Sequence, residues 1–93
     1  MAGPAVSVLM GVHNGAPWIT WAVASVLGQT LRDLELVVVD DGSVDGTGEL
    51  LAGVDDPRLR VVRNQEALGL AGALNVGIGE SRGRYLARLD DVA

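Results

Sequence analysis

Four short runs rich in valine and leucine alternate with stretches whose apolar residues recur at helical spacing. That switching of period constrains the fold more than any other feature of the chain. Ala5–Val12 (Ala-Val-Ser-Val-Leu-Met-Gly-Val) and Leu34–Val39 (Leu-Glu-Leu-Val-Val-Val) are nearly continuous apolar runs, the pattern of strands covered on both faces. Two shorter strands are predicted at Leu59–Val62 and Tyr85–Leu89. Between the first two strands, Ile19, Ala22, Val23, Val26 and Leu27 fall at i, i+3, i+4, i+7 and i+8, one stripe of an amphipathic helix. Pro17 suits its first position, where a missing N–H goes unnoticed, and Gly28 closes it. A short helix is predicted over Thr47–Ala52, capped by Ser43 or Asp45. A third, rich in glycine and alanine, is traced by Leu70, Ala71, Leu74 and Ile78, and its small residues permit close approach to a sheet.

The predicted order is β-α-β-α-β-α-β. Strands joined through helices run parallel, and right-handed crossovers spread the helices over both faces. The fold class is therefore α/β, with an open parallel, Rossmann-like sheet. Such sheets bind ligands beyond the carboxyl ends of their strands, where strand order reverses. His13 and Asn14 follow the first strand, Asp40 and Asp41 the second, Asn64 the third, and Asp90 and Asp91 the fourth.

Composition removes several functions. The 93 residues suit one domain, 1–93. Twelve acidic against seven basic side chains give a net charge of −5, which argues against a nucleic-acid partner. Every basic residue is arginine, so a lysine-dependent phosphate loop is excluded, as is a phospho-receiver domain. A receiver would also carry its acidic pair after the first strand, not the second. Cysteine is absent, so disulfides and thiolate metal sites are out. No apolar run approaches the ~20 residues of a membrane span, and no leader pattern opens the chain, which points to a cytoplasmic location. Gly77-Ile-Gly79-Glu-Ser-Arg-Gly83 ends a helix instead of opening one after a strand, so it is not a dinucleotide fingerprint.

The strand-end residues each admit two roles. Asp40-Asp41-Gly42-Ser43 can accept hydrogen bonds from a nucleobase imide or a ribose, or it can stabilise a turn and cap the next helix. Asp90 and Asp91 can hold a divalent cation on a diphosphate, or simply end a strand in solvent. His13 is a ligand contact or a polar loop residue, and Trp18 and Trp21 stack on a base or cover the sheet. Arg88, beside the acidic pair, can meet a diphosphate or pair with a carboxylate.

Val6-Ser-Val-Leu-Met-Gly-Val-His-Asn-Gly15, Ala24-Ser-Val-Leu-Gly-Gln-Thr30 and Leu36-Val-Val-Val-Asp-Asp-Gly-Ser-Val-Asp-Gly-Thr47 follow one another in the chain. Then come Asn64, Gly69, Ala73-Leu-Asn75 and Gly77, and Gly83-Arg-Tyr-Leu-Ala-Arg-Leu-Asp90. In that order they resemble the N-terminal, nucleotide-binding half of a family 2 (GT-A fold) glycosyltransferase. The resemblance implies sugar transfer, usually inverting, from a nucleoside-diphosphate sugar donor to an acceptor it does not name. Val12 and His13 would border the base and Asp41 would meet a uracil-type imide. Asp40 would support Asp41 or reach the ribose, and Asp90 and Asp91 would hold Mn²⁺ or Mg²⁺ on the diphosphate. The family's Asp-Ala-Asp-Asp appears here as Asp90-Asp91-Val92, and Ala16 replaces a usual acidic residue.

The resemblance also implies an acceptor half and a carboxylate base downstream of Ala93. Residues 1–93 are therefore read as a partial domain, inactive alone. The alternative is a non-catalytic remnant or interaction domain that keeps the fold. In either case the face left by the missing half is expected to be apolar and to favour homo-oligomers.

Overall fold

The computed structural model describes residues 3–29 and 32–89. Its elements are β1 (Val6–Val12), α1 (Ala16–Leu27), β2 (Leu34–Asp41), α2 (Thr47–Ala52), β3 (Leu59–Asn64), α3 (Gly69–Glu80) and β4 (Tyr85–Leu89). The strands form one parallel sheet in the order β3-β2-β1-β4. The predicted α/β class and element order are both present. Strands β2 and β3 run two residues further than their apolar runs, because Asp40 pairs in register with Arg63 and Asp41 with Asn64.

The near-continuous apolar runs build a two-sided core. All eight residues of β2 are buried. Leu34, Leu36 and Val38 join Met10 and Val12 beneath Ile19, Ala22, Val23 and Val26 of α1 and Leu51 of α2. On the other face Leu9, Val37 and Val39 pack against Ala73 of α3. Each large side chain so buried contributes roughly 1.5–3 kcal/mol. Trp18 packs against the edge of the first cluster, whereas Trp21 stands 74% exposed and covers nothing.

Helix α3 approaches the sheet through small residues, as its composition predicted, and not through the larger apolar side chains that traced it. Leu70 and Ile78 are exposed, and the buried positions are Ala73 and Gly77, with Val76 half-buried beside them. Small residues win because the helix lies close: a Cβ on Gly77 would sit 3.3 Å from Val39 and 3.4 Å from Leu9.

Strand β4 is placed on the far side of β1 by a network at the amino-terminal ends of the strands. Glu35, 2% exposed, accepts hydrogen bonds from the Ser7 hydroxyl (2.5 Å) and the Arg82 N–H (2.6 Å). The guanidinium groups of Arg60 and Arg82 lie 3.4 and 3.3 Å from its other oxygen. Gly83 N–H donates in turn to Ser7 Oγ (2.7 Å). Burial pushes the Glu35 carboxyl up, but these donors more than offset it and hold it below its ordinary 4.5. The turn before β4 is thus anchored to β1 and β2.

The chain steps from β1 to β2 to β3 in one direction and then crosses under the sheet through α3 to β4. Strand order reverses between β1 and β4. At the carboxyl rim Val12 lies opposite Asp40, Asp41 opposite Asn64, and Met10 opposite Leu89. Among the described residues no helix is long and apolar enough to cross a membrane.

Candidate functional site

The rim is built from two loops, one after β1 and one after β2, that the sequence ties together side chain to backbone. Asn14 holds a left-handed backbone (φ 55°), the one non-glycine residue to do so among those described. Asparagine followed by glycine is the pair that adopts such a turn most readily. In that conformation Asn14 N–H donates to Ser43 Oγ (2.8 Å), and Val44 N–H donates to Asn14 Oδ1 (2.9 Å). Gly15 N–H reaches Thr47 Oγ1 (3.0 Å) and Ala16 N–H reaches Asp45 Oδ2 (3.1 Å).

Those last two bonds supply something α1 lacks. It begins at Gly15 with no side-chain cap and no acidic residue in its first turn. Its free N–H groups are satisfied from a loop some thirty residues downstream. Asp45 also serves α2, accepting from the Thr47 N–H (3.1 Å) and hydroxyl (2.5 Å). The Thr47 hydroxyl foremost, with the Ala16 and Thr47 N–H groups, holds the Asp45 carboxyl below its ordinary 3.8. The N-cap of α2 is Gly46 and not the predicted Ser43 or Asp45; Asp45, one residue earlier, still accepts from the first N–H of α2, and the same carboxylate reaches a second helix.

Asp41 does for α3 what Asp45 does for α1. Its Oδ1 accepts from Asn64 Nδ2 (2.9 Å) and Leu68 N–H (2.8 Å), and its Oδ2 from Gly69 N–H (3.0 Å). Burial pushes this carboxyl up, yet the hydrogen bonds from Leu68, Asn64 and Gly69 and the adjacent His13 bring it below its ordinary 3.8. A carboxylate offers about four acceptor positions. Two are filled on Oδ1 and one on Oδ2, which leaves a single lone-pair position on Oδ2. Gly42, with φ +73°, lets the chain turn here; a Cβ would come within 2.8 Å of Ala67 N.

Asp40 points to the opposite face. Fully buried, it accepts from Ser43 N–H (3.1 Å) and from Arg63 Nη1 (2.7 Å), beneath Gly48 of α2. Arg63 also donates to the Ser43 carbonyl (2.9 Å), closing the β2–α2 loop from below. His13 is exposed and donates its Nδ1–H to the Asp41 carbonyl (2.7 Å), because a carbonyl can only accept. Its Nε2 is then the acceptor for Asn14 Nδ2 (3.3 Å). Val12 is buried under the rim.

The sequence-predicted residues Val12, His13, Asp40 and Asp41 thus share one rim, with the two aspartate side chains on opposite faces of the sheet. Asp90 and Asp91 lie outside the described residues. Among the described residues no three His, Asp or Glu side chains come together as a metal site would need. Thr47, Arg63 and the capping role of Asp45 toward α1 were not read from the sequence. Only the Asn-Gly pair hinted at the left-handed turn that makes these contacts. A groove of about 590 Å³ opens elsewhere, between α1 and β4, over Val8, Met10, Trp18, Trp21, Ala87 and Leu89. Its lining is mostly apolar, unlike the polar rim.

The model of Glycosyl transferase family 2 matches residues 7–91. The succinoglycan biosynthesis protein ExoO of Rhizobium meliloti (strain 1021) is 42% identical over 87 residues, covering 94% of this chain and 25% of that protein. The UDP-Glc:alpha-D-GlcNAc-diphosphoundecaprenol beta-1,3-glucosyltransferase WfaP of Escherichia coli is 34% identical over 85 residues, 91% of this chain and 34% of its own length. Among solved structures, mannosyltransferase PcManGT from Pyrobaculum calidifontis, in complex with GDP-Man and Mn²⁺, matches with a TM-score of 0.86 at 30% identity. That match covers 97% of this chain and 28% of the other. The chain spans about a quarter to a third of the length of the curated relatives it matches.

Proposed function

The chain belongs to glycosyl transferase family 2, and on that premise we propose that it is the donor-binding portion of a glycosyltransferase. The donor is a nucleoside-diphosphate sugar, the transfer is inverting, and the acceptor site and the base that activates the acceptor hydroxyl come from a further half of the fold. Residues 1–93 then form one partial nucleotide-sugar-binding domain.

The observation that carries this reading is the state of Asp41. Its carboxylate is held ionised at the rim by three protein donors, with one acceptor position left on Oδ2. That is what a nucleobase imide N–H requires: a fixed, charged acceptor that needs no reorganisation on binding. Val12 and His13 border the base, with His13 held by the Asp41 carbonyl. Asp40 acts as support, since its oxygens already serve Ser43 and Arg63. Asp90 and Asp91 are the candidates to hold Mn²⁺ or Mg²⁺, which would supply charge neutralisation at the diphosphate.

Calorimetric titration with UDP and GDP, each with and without Mn²⁺, tests the proposal. Saturable heat for one nucleotide, strengthened by Mn²⁺, is the expected result. No heat for either nucleotide under both conditions would overturn it in favour of a non-catalytic interaction domain.

A further inference from the structure

Asp45 is exposed and sits off the strand ends, yet it joins more of the rim than any residue beside it. One oxygen serves the first turn of α2 and the other the first turn of α1. Thr47, which Asp45 holds through its hydroxyl, is itself fully buried, and its Oγ1 accepts from Gly15 N–H. Both contacts land on residues that immediately follow His13 and Asn14. Among the described residues the other ties from that loop to the β2–α2 segment are the two bonds of Asn14 and the one from His13 to Asp41. Asn14, in the left-handed conformation that asparagine adopts more readily than other non-glycine residues, makes both of its bonds to the same β2–α2 loop that Asp45 ties to α1.

We propose that Asp45 is a positioning residue for the donor site: by clamping the start of α1 to the start of α2, it fixes where His13 stands against Asp41. The proposal rests on the donor-binding reading for its functional meaning, but its geometric content is independent of it. Asp45 makes no contact with His13 or Asp41, so it acts through Gly15, Ala16 and Thr47. The clamp also fixes the imidazole tautomer. As long as the loop is held, Nδ1–H faces the Asp41 carbonyl and Nε2 keeps its lone pair toward the rim. Released from α2, the loop lets the ring leave the carbonyl, and both tautomers become accessible.

His13 is the chain's only histidine, so its ring nitrogens give an unambiguous NMR signal. The test compares wild type with Asp45→Ala and with Asp45→Asn, which keeps one side-chain oxygen for Thr47. Asp56→Ala is the control, because Asp56 also accepts three hydrogen bonds, all from Arg58, at the opposite end of β3. The expected result is a single Nδ1–H tautomer in wild type and in Asp56→Ala, and a mixture in Asp45→Ala with Asp45→Asn between them. The affinity of Asp45→Ala for UDP or GDP falls by about tenfold, the equivalent of one charge-assisted hydrogen bond. Unchanged His13 ring signals in Asp45→Ala overturn the proposal; if that variant does not fold, Asp45→Asn decides by the same signals. A wild-type chain that binds neither nucleotide sinks the donor reading, while the tautomer comparison still decides the role of Asp45.

Discussion

Asp40 and Asp41 are consecutive in β2, yet their carboxylates hold opposite faces of the sheet. Asp40 binds Arg63 and Ser43 beneath α2, and Asp41 caps α3 through Leu68 and Gly69. The alternation of a strand makes this unavoidable, since neighbouring side chains point to opposite sides. Together with Ser43, Asp45 and Thr47 they turn one segment into a junction from which α1, α2, α3 and β3 are all held. The same segment leaves one acceptor position of the buried Asp41 carboxylate unfilled among the described residues. On the proposed donor-binding reading, architecture and binding share residues here, and substitutions are expected to touch both.

Replacing Asp41 is the most direct case. Asp41→Ala leaves two N–H groups of α3 without their acceptor and strands the amide of Asn64. The expected loss is about 2 kcal/mol of stability, the sum of a lost helix cap and a lost charged hydrogen bond. Nucleotide binding should be abolished in the fraction that stays folded. Urea denaturation and calorimetry on the same preparation measure the two effects; full nucleotide affinity in folded Asp41→Ala would remove Asp41 from the site.

Stability should fall in acid, and the sign follows from the carboxyls. Glu35 and Asp41 are held below their ordinary 4.5 and 3.8 in the folded chain, so protonation favours the unfolded state. Their contribution is complete above the ordinary values and is lost as the pH drops through the lowered ones. Thermal melting is therefore expected to be flat from about pH 7 to 5 and to decline below about pH 4. Glu35→Gln, which removes one of these titrations, should start less stable and show a shallower decline. An equally steep decline in that variant would show that Glu35 contributes nothing to it.

Two glycines near the end of α3 should respond in opposite directions to alanine. At Gly83 an added Cβ would lie 2.5 Å from Ser7 N and 2.6 Å from Ser7 Oγ, inside the network that anchors β4. Gly83→Ala is expected to cost about 3 kcal/mol, in the range of other forced core rearrangements. Gly79 lies within the helix with nothing inside 4 Å of its Cβ position. Gly79→Ala should stabilise by about 0.5–1 kcal/mol, through helix propensity and a less flexible unfolded chain. Denaturant midpoints measured side by side test the pair.

Much of this fold was legible because hydrophobic period alone separates its strands from its helices. The runs at Val6–Val12 and Leu34–Val39 could be nothing but buried parallel strands once helices flanked them. Strand ends then named His13, Asp40 and Asp41. What the sequence hid was pairing across distance. Ala16 finds Asp45 and Gly15 finds Thr47 only after β1 and β2 come into register, and no local pattern announces a helix capped by another loop. Glu35, one acid inside an apolar run, is intelligible only with Ser7, Arg60 and Arg82 gathered around it. The close approach of α3 was legible in its small residues, but which of them face the sheet was not: the short helix–sheet distance selects Ala73 and Gly77 and leaves Leu70 and Ile78 exposed.

The open side of the sheet supplies the last prediction. Among the described residues strand β4 has β1 as its one strand neighbour, and all five of its residues are exposed. Leu89 and the 74% exposed Trp21 flank the apolar groove between α1 and β4. An unpaired edge beside an apolar face is a template for association, and natural edges are commonly protected by lysine or other charge. The 93-residue chain is therefore expected to self-associate at high micromolar concentration in sedimentation velocity. Trp21→Lys combined with Leu89→Lys should return it to a monomer with stability changed by no more than about 0.5 kcal/mol, since both side chains are largely outside the core. Because the groove lies apart from the polar rim, nucleotide affinity should survive that double substitution. A wild-type chain that stays monomeric across the whole concentration range would show that this face does not drive association.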